Sequence, residues 1–183
     1  HVILIKNKML FNLNSVNLIS VHLKLKWYYR EVAMSYDEDA LKRELIRDEG
    51  QRLTAYRDSL GNWTIGVGHL LQGDELRELG RPGGRITESE CAAFLAADIQ
   101  EAESRLTHIF PSWRTLDDVR QRALLNLTFN LGMKLQKFVR FLGYVADKNW
   151  DEAVVELKDS RWWDQVGARG PRIAKMIRTG RAA

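Results

Sequence analysis

Signals for β-strands are concentrated in one short part of this chain, while helical periodicity fills most of the remainder. The segment DSLGNWTIGVG, residues 58–68, begins with residues that favour a turn. Trp63, Ile65 and Val67 then alternate with small residues, which predicts a hairpin with one packed face and one face left open by glycine. Strands confined to one end of a mainly helical chain indicate an α+β fold, with a sheet lobe and a helical lobe joined by a long helix.

The longest predicted helix would join the two lobes. It begins in the segment GGRITESE, where Thr87 and Glu90 have the spacing of a capping box, and it runs to about residue 107. Thr115 and Asp118 have the same spacing and predict the start of a later helix. Further predicted boundaries are a first helix over residues 37–48, a helix end at Gly132, and a last helix with Pro171 in its first turn and Gly180 at its end.

Residues 1–33 differ in composition from residues 34–183. The first segment has no glycine and is rich in Asn, Lys, Ile and Leu, while the second is rich in Ala, Gly, Arg and Asp. We interpret residues 1–33 as an N-terminal extension, either a fused peptide or a native cationic arm that seeks membranes, in which residues 21–27 alternate as in a strand. The folded domain, 34–183, is expected to comprise a sheet lobe at about 49–86, a linking helix at about 87–107 and a helical lobe at about 112–180.

Charge and composition restrict the classes of function. The net charge is +4, and basic residues predominate in residues 1–33 and 161–183, which favours attraction to anionic lipid or cell wall. No apolar run is long enough to span a bilayer. Cys91 is the only cysteine, so an internal disulfide is excluded. The four histidines have no ligand-like spacing, and we expect neither a metal nor another cofactor.

Three polar residues flank the open face of the predicted hairpin. Glu49 ends the first helix, Asp58 lies at the hairpin turn, and Thr64 points away from the packed side of the returning strand. Asp58 and Thr64 are therefore expected to face each other. Two carboxyl groups beside an open face could act as acid and base in glycoside hydrolysis. Spacing alone leaves open that they are ordinary helix-end and turn residues.

The segment RDEGQRLTAYRDSLGNWTIGVGHLL, residues 47–71, resembles the catalytic segment of the phage lysozymes and endolysins of glycoside hydrolase family 24. The similarity continues through RITESE, LDDVRQRALLNLTFNLG, NWDEAVVELKDSRWWDQ and RIAKMIRTG, and covers roughly residues 38–180. The resemblance implies a lysozyme-like fold with a cleft between two lobes. It also implies a monomeric enzyme without nucleic-acid partners. That enzyme would hydrolyse, with inversion, the β-1,4 bond between N-acetylmuramic acid and N-acetylglucosamine in peptidoglycan.

The resemblance assigns roles to matching residues. Glu49 matches the general acid, Asp58 the carboxylate that positions or activates the attacking water, and Thr64 the hydroxyl that assists this water. The supporting matches are Arg169, which pairs with the catalytic glutamate, His69 and Asp98, which form a structural pair, and Leu70 and Phe129, which line the sugar cleft. A cationic neighbour favours the ionised carboxylate, whereas a general acid must hold its proton. We therefore expect substrate binding to desolvate Glu49 and restore its proton.

Two departures and two alternatives accompany this interpretation. Phe141 and Glu156 stand where the T-even phage relative has small polar cleft residues, so the far subsites are unassigned. A lytic transglycosylase would need no hydrolytic water, and a cationic, membrane-active antibacterial protein would act without catalysis. Because no signal peptide is recognised, the enzyme is expected in the host cytoplasm before its release to the cell wall.

Overall fold

The computed structural model describes residues 2–5, 9–12 and 35–183, and the chain forms two compact units, residues 1–35 and 36–183. In the first unit, strands β1 (Val2–Ile5) and β2 (Met9–Asn12) pair antiparallel, with Val2 opposite Asn12. The strand predicted at residues 21–27 lies outside the described residues. The interpretation of residues 1–33 as an added extension stays a prediction.

The second unit is mainly helical, with a small sheet near its beginning, and the predicted α+β class is confirmed. Its elements are α1 (Glu38–Glu49), β3 (Arg52–Arg57), β4 (Trp63–Gly66), β5 (His69–Leu70), α2 (Gly73–Leu79), α3 (Glu88–Ile109), a 3-10 helix (Pro111–Thr115), α4 (Asp118–Leu131), a second 3-10 helix (Gly132–Lys137), α5 (Val139–Ala146), α6 (Trp150–Lys158), α7 (Arg161–Gln165) and α8 (Arg169–Thr179). In residues 36–183, no helix is both long and apolar enough to cross a membrane.

The sheet of the second unit is antiparallel, with strand order β3-β4-β5. The expectation of an open glycine face on this hairpin is wrong at Gly66, which is buried. A side chain added there would meet the Cys91 Sγ atom at 3.3 Å. Gly66 and Gly68 have φ angles of +65° and +73°, which ordinary strand residues do not adopt. The strict alternation of faces that the sequence suggested therefore stops where β4 ends.

Helix α3 links the sheet to the helical lobe. Thr87 accepts a hydrogen bond from the Glu90 amide, and Glu90 accepts one from the Thr87 amide, so the predicted capping box is confirmed. The buried face of α3 carries Cys91, Leu95, Ile99, Ala102 and Leu106. Helix α3 contacts β4 and β5, and it also contacts α4 and both 3-10 helices. The helix therefore joins the sheet to the helical lobe.

Helix α4 lies at the centre of the helical lobe, and every residue from Gln121 to Thr128 is buried. The start predicted for it from Thr115 and Asp118 is wrong. Asp117 caps the helix by accepting from the Arg120 amide, while Thr115 belongs to the preceding 3-10 helix and donates to the Ser112 carbonyl. Trp113, in the same 3-10 helix, is fully buried.

Helix α8 closes the helical lobe with an apolar face of Ile173, Ala174, Met176 and Ile177. Pro171 lies in its first turn, and Gly180 ends it with a left-handed φ of +63°, as predicted. The first turn of α8 also carries Arg169. The Arg169 side chain is buried, and it donates a hydrogen bond to Asn126 of α4. The guanidinium of Arg169, near the end of the chain, therefore lies next to α1.

Candidate active site

Glu49 is the last residue of α1. Asp37 caps the start of this helix, and Gly50, with a φ of +77°, ends it by donating its amide to the Ile46 carbonyl. Leu41 and Leu45 anchor the helix in the core. The Glu49 side chain is thereby fixed at a helix end while remaining 22% exposed, so a ligand can reach it.

Arg169 pairs with Glu49 across 120 residues of sequence. Its Nη2 atom donates to Glu49 Oε1 at 2.7 Å. The guanidinium is nearly enclosed, with a side-chain exposure of 6%, so solvent screens the ion pair weakly. This is the contact that the resemblance implies.

Gly68 brings the backbone after β4 close to the Glu49 carboxyl. A side chain added at Gly68 would lie 3.5 Å from Glu49 Oε2. Gly68 also lines a cavity of about 400 Å³ together with His69, Leu70 and Phe129. Leu70 is 42% exposed at the edge of the sheet, and Phe129 reaches the cavity from α4. The two residues expected to line the sugar cleft therefore border one cavity, and the Glu49 carboxyl lies close to the Gly68 backbone in the wall of this cavity.

Asp58 is held by the backbone of its own turn. Its Oδ1 atom accepts from the amides of Leu60 and Asn62, each at 2.8 Å, and its Oδ2 atom accepts from the Asn62 side chain at 3.2 Å. These donors, with the Asn62 amide first among them, lower the pKa of Asp58. The carboxyl is therefore ionised at neutral pH and fixed in orientation.

Thr64 lies on the strand that returns from this turn, with a total exposure of 4%. It pairs with Tyr56, while the Asp58 amide donates to the Asn62 carbonyl, so Thr64 stands diagonal to Asp58 and not opposite to it. The Thr64 hydroxyl donates to the same Asn62 carbonyl at 3.4 Å. Within residues 35–183, no hydrogen bond joins the side chains of Asp58 and Thr64, and Asn62 connects them instead.

His69 lies between two carboxylates. Its Nδ1 atom is 3.0 Å from both oxygens of Asp98 on α3, and its Nε2 atom is 3.1 Å from Glu75 on α2. The ring stacks on Phe94 with centroids 4.4 Å apart. The bond to Asp98, followed by that to Glu75, raises the pKa of His69 to about 9, so the ring is cationic at neutral pH. His69 ties the sheet to both helices.

The resemblance did not assign Glu75, Asp48, Asn126 or Arg172. Glu75 lies in the first turn of a short helix, where an acidic residue is common, so the sequence carried no specific signal. Asp48 and Asn126 have buried polar side chains that bond to one another. Asn126 interrupts the apolar run ALLNLTF of α4. A polar residue within a buried apolar run needs a polar partner, and this feature of the sequence could have identified Asn126.

Phe141 and Glu156 border a different cavity, of about 890 Å³, within the helical lobe. Phe141 is buried in the core, and Glu156 accepts from Arg140 at 2.6 Å. Neither position therefore offers a small, free polar group. Among the described residues, no cluster of three or more His, Cys, Asp or Glu side chains could hold a metal ion.

Comparison with known proteins assigns the chain to a family. Residues 47–181 match the family described as phage lysozyme. The chain belongs to the phage lysozyme family. It is therefore a lysozyme-family glycosidase that acts on peptidoglycan.

The relatives of this chain include proteins of different overall length. This chain is 31% identical over 162 residues to "Probable T4-type lysozyme 2" of Dictyostelium discoideum. The alignment covers 77% of this chain and 95% of the relative. It is 30% identical over 156 residues to the pre-baseplate central spike protein Gp5 of Enterobacteria phage T4, covering 74% of this chain and 27% of that protein. It is 36% identical over 90 residues to the endolysin of Salmonella phage P22, and this alignment covers 48% of this chain and 58% of that protein.

Proposed function

We propose that this protein is an endolysin that cleaves, with inversion, the β-1,4 bond between N-acetylmuramic acid and N-acetylglucosamine and so lyses the host cell. The observation that carries the proposal is the position of Glu49. Its carboxyl is paired with a buried cation, Arg169, and lies close to the Gly68 backbone, which lines the cavity that Leu70 and Phe129 border. A general acid needs such a place, because it must touch the bound substrate and yet be held by the protein.

Glu49 is the proposed general acid. It gives its proton to the glycosidic oxygen as the bond from that oxygen to the anomeric carbon breaks. Arg169 donates to Glu49 in the free enzyme and so holds the carboxyl group in place. Binding of a sugar would displace water from the 22% of the Glu49 side chain that is exposed.

Asp58 and Thr64 are the proposed residues of the water site. Water attacks the anomeric carbon from the face opposite to the leaving group, and Asp58 receives the proton that the water loses. Its lowered pKa means that the carboxyl is ionised at neutral pH, which is the form that can accept a proton. Inverting glycosidases keep roughly 6.5–9.5 Å between their two carboxyl groups to make room for the water. The Thr64 hydroxyl, bonded to Asn62, would hold the same water from the strand.

The stereochemistry of the first product tests the reaction. Proton NMR of a soluble peptidoglycan oligosaccharide during cleavage is expected to show the α-anomer at the new reducing end before mutarotation. The β-anomer would contradict inversion. Mass spectrometry of digested peptidoglycan tests the alternative of a lytic transglycosylase, because products with anhydromuramic ends would rule out hydrolysis.

Substitution of the acid tests whether catalysis causes lysis. Glu49→Gln keeps the size of the side chain but removes its proton, and general acids contribute about 10²–10⁴-fold to rate. Clearing of cells stripped of their outer membrane should fall by this factor. Glu152→Gln is the matched control, since Glu152 is exposed on α6 and should clear at the wild-type rate. Undiminished clearing by Glu49→Gln would favour the cationic, membrane-active alternative.

We also propose that the enzyme is a monomer that accumulates in the host cytoplasm before release, and that exposed basic residues attract it to anionic surfaces of the envelope. Arg161, Lys175, Arg178 and Arg181 are exposed near the end of the chain. Light scattering tests the monomer, and fractionation of lysing cells tests the location. Binding to anionic vesicles should weaken as salt is added, because salt screens exposed charges. Deletion of residues 1–33 measures their share of this binding.

A further inference from the structure

Residues of α6, α7 and α8 line a cavity of about 420 Å³ in the helical lobe. Among the described residues, it shares no lining residue with the cavity beside Glu49. Its apolar part includes Val154 and Ala174, which are buried in the core, and the half-buried ring of Trp163. The cavity is therefore a separate concave site with an apolar surface, which is the general form of a ligand pocket.

Three cationic side chains line this cavity, namely Lys158, Lys175 and Arg178, and no acidic side chain of residues 35–183 does so. The two cavities described above differ in this respect, because each has acidic side chains in its wall, such as Glu156 in one and Asp98 in the other. A cleft with charges of one sign and apolar walls concentrates ions of the opposite sign. The cavity therefore favours an anionic ligand.

Two of the three cations have no carboxylate partner. Arg178 Nε lies 2.7 Å from Asp151 Oδ1, but neither Lys158 nor Lys175 forms an ion pair with an acidic group of the described residues. Both lysines are exposed, so a ligand can reach their ammonium groups. The Lys158 ammonium also lies 5.7 Å from the centroid of the Trp163 ring, which places this charge beside the aromatic wall. The protein itself therefore leaves most of the charge of this site without a counter-charge.

Trp163 offers a polar group as well as a ring. Its neighbour Trp162 is buried and donates its Nε1 hydrogen to Asn130, whereas within residues 35–183 the Nε1 atom of Trp163 bonds to nothing. A side chain added at Gly170 would lie 3.0 Å from Trp163 Cε3, so α8 packs against the benzene edge of the indole. Because Nε1 is on the opposite edge of the ring system, its N–H group can donate to a ligand.

We propose that this cavity is a second binding site for peptidoglycan, which takes a carboxyl group of a peptide stem away from the bond that is cleaved. Peptidoglycan carries short peptides with free carboxyl groups and small apolar side chains, and the site offers cations around an apolar surface. A second contact with the same polymer would keep the enzyme on the wall, because rebinding of the active site becomes intramolecular. The inference rests on the action of the family on peptidoglycan, and not on the roles proposed for Glu49, Asp58 and Thr64.

Proton–nitrogen NMR of the tryptophan side chains tests the site directly. The full chain carries Glu49→Gln so that the probe is not cleaved, and the Trp163 indole signal is identified by its absence in Trp163→Phe. The probe is a soluble disaccharide–peptide released from peptidoglycan, and it should shift this signal in a saturable way. The same probe with its carboxyl groups converted to amides should leave the signal in place, because the cations then have no anion to bind.

Removal of the two unpaired cations is the matched substitution. Lys158→Gln combined with Lys175→Gln should weaken binding of the probe about tenfold, because two ion pairs at exposed positions are lost. Arg81→Gln combined with Arg85→Gln is the control, since it removes the same charge from the loop between α2 and α3 and should bind the probe as the parent does. All four side chains are exposed, so both variants should keep the fold.

The outcomes separate this inference from the proposed reaction. A saturable Trp163 shift that the lysine variant weakens and the arginine control keeps supports the inference, whatever the effect of Glu49→Gln on clearing. If no saturable shift appears at millimolar probe, or if the amidated probe shifts the signal as strongly, the inference is wrong. An equal shift with inorganic phosphate or anionic lipid vesicles would assign the cavity to anions in general and contradict a peptidoglycan site. Loss of clearing in Glu49→Gln without any Trp163 shift would support the reaction and overturn the inference.

Discussion

Asp58 and Glu49, the two carboxyl groups of the proposed reaction, are controlled in different ways. Asp58 is held by amide donors from residues 60 and 62 of its own turn, so its environment is local in sequence. Glu49 is held by Arg169, which is 120 residues away, and through it by Asn126. One carboxyl group is set by a turn that a short peptide could form, and the other by the packing of three helices. Mutations should therefore affect stability differently at the two places.

Asp58→Asn should cause the largest loss of activity while leaving the fold intact. The amide keeps the shape and the oxygen that accepts from the turn but cannot accept a proton from water, so kcat/KM should fall by about 10²–10⁴-fold. The thermal midpoint should stay close to that of the wild type, because the turn remains bonded. Asn62→Ala removes one side-chain donor to Asp58 and is the milder comparison. An Asp58→Asn variant with normal activity would remove Asp58 from the mechanism.

Arg169→Met, unlike Asp58→Asn, should cause a large loss of stability. It leaves Glu49 and Asn126 without their buried donor, and breaking a buried ion pair from one side costs about 3–5 kcal/mol. Urea unfolding measures the change in the free energy of unfolding. Arg161→Met, at an exposed position, should change it by about 0.5 kcal/mol or less. Equal effects at the two arginines would contradict the contrast between buried cluster and surface.

His69 predicts how stability depends on pH. Its pKa is raised from 6.5 to about 9 in the folded state, so the protonated ring favours folding. This contribution, about 2 kcal/mol after allowance for solvent, is complete below about pH 6.5 and is lost as pH rises toward 9. Denaturant unfolding of wild type and His69→Gln between pH 6 and 10 should give curves that converge at high pH. His108→Gln, on the exposed side of α3, should keep the wild-type dependence.

Gly68→Ala should have the smallest effect, and it separates backbone strain from contact with Glu49. A left-handed backbone conformation costs a non-glycine residue about 1–2 kcal/mol. Gly167→Ala is the matched control, because Gly167 has a φ of +50° and nothing near its missing side chain. Both variants should lose similar stability in thermal unfolding, while Gly68→Ala alone should also lower kcat/KM. An equal loss of activity in both would show that the contact with Glu49 is unimportant.

Local patterns predicted much of the fold. The capping box of Thr87 and Glu90, the helix end at Gly132 and the last-helix boundaries at Pro171 and Gly180 follow from bonds between near neighbours in sequence. The predictions failed where packing decides between similar local signals. Thr115 and Asp117 are both good cap residues, but Thr115 belongs to the 3-10 helix that carries the buried Trp113, and Asp117 caps α4. Gly66 was expected to face outward, but α3 covers it with Cys91.

The C-terminal charges show the same limit. Six basic residues in 161–183 suggested a cationic surface, yet Arg169 and Arg172 turn inward to Glu49 and Asp48. A sequence gives the sign of each charge but not the side of the helix that will be covered. Only the meeting of α1, α4 and α8 decides which arginines remain available to bind anionic surfaces.

By itself, the sequence determined the α+β class, the family and the identity of the residues proposed for catalysis, because these depend on local periodicity and on a conspicuous ordered motif. The tertiary structure decided which partners those residues have. Asp48, Asn126 and Arg169 are separated by 78 and 43 residues in the chain, and their bonds form only because a buried polar group must find a partner on whichever helix packs beside it.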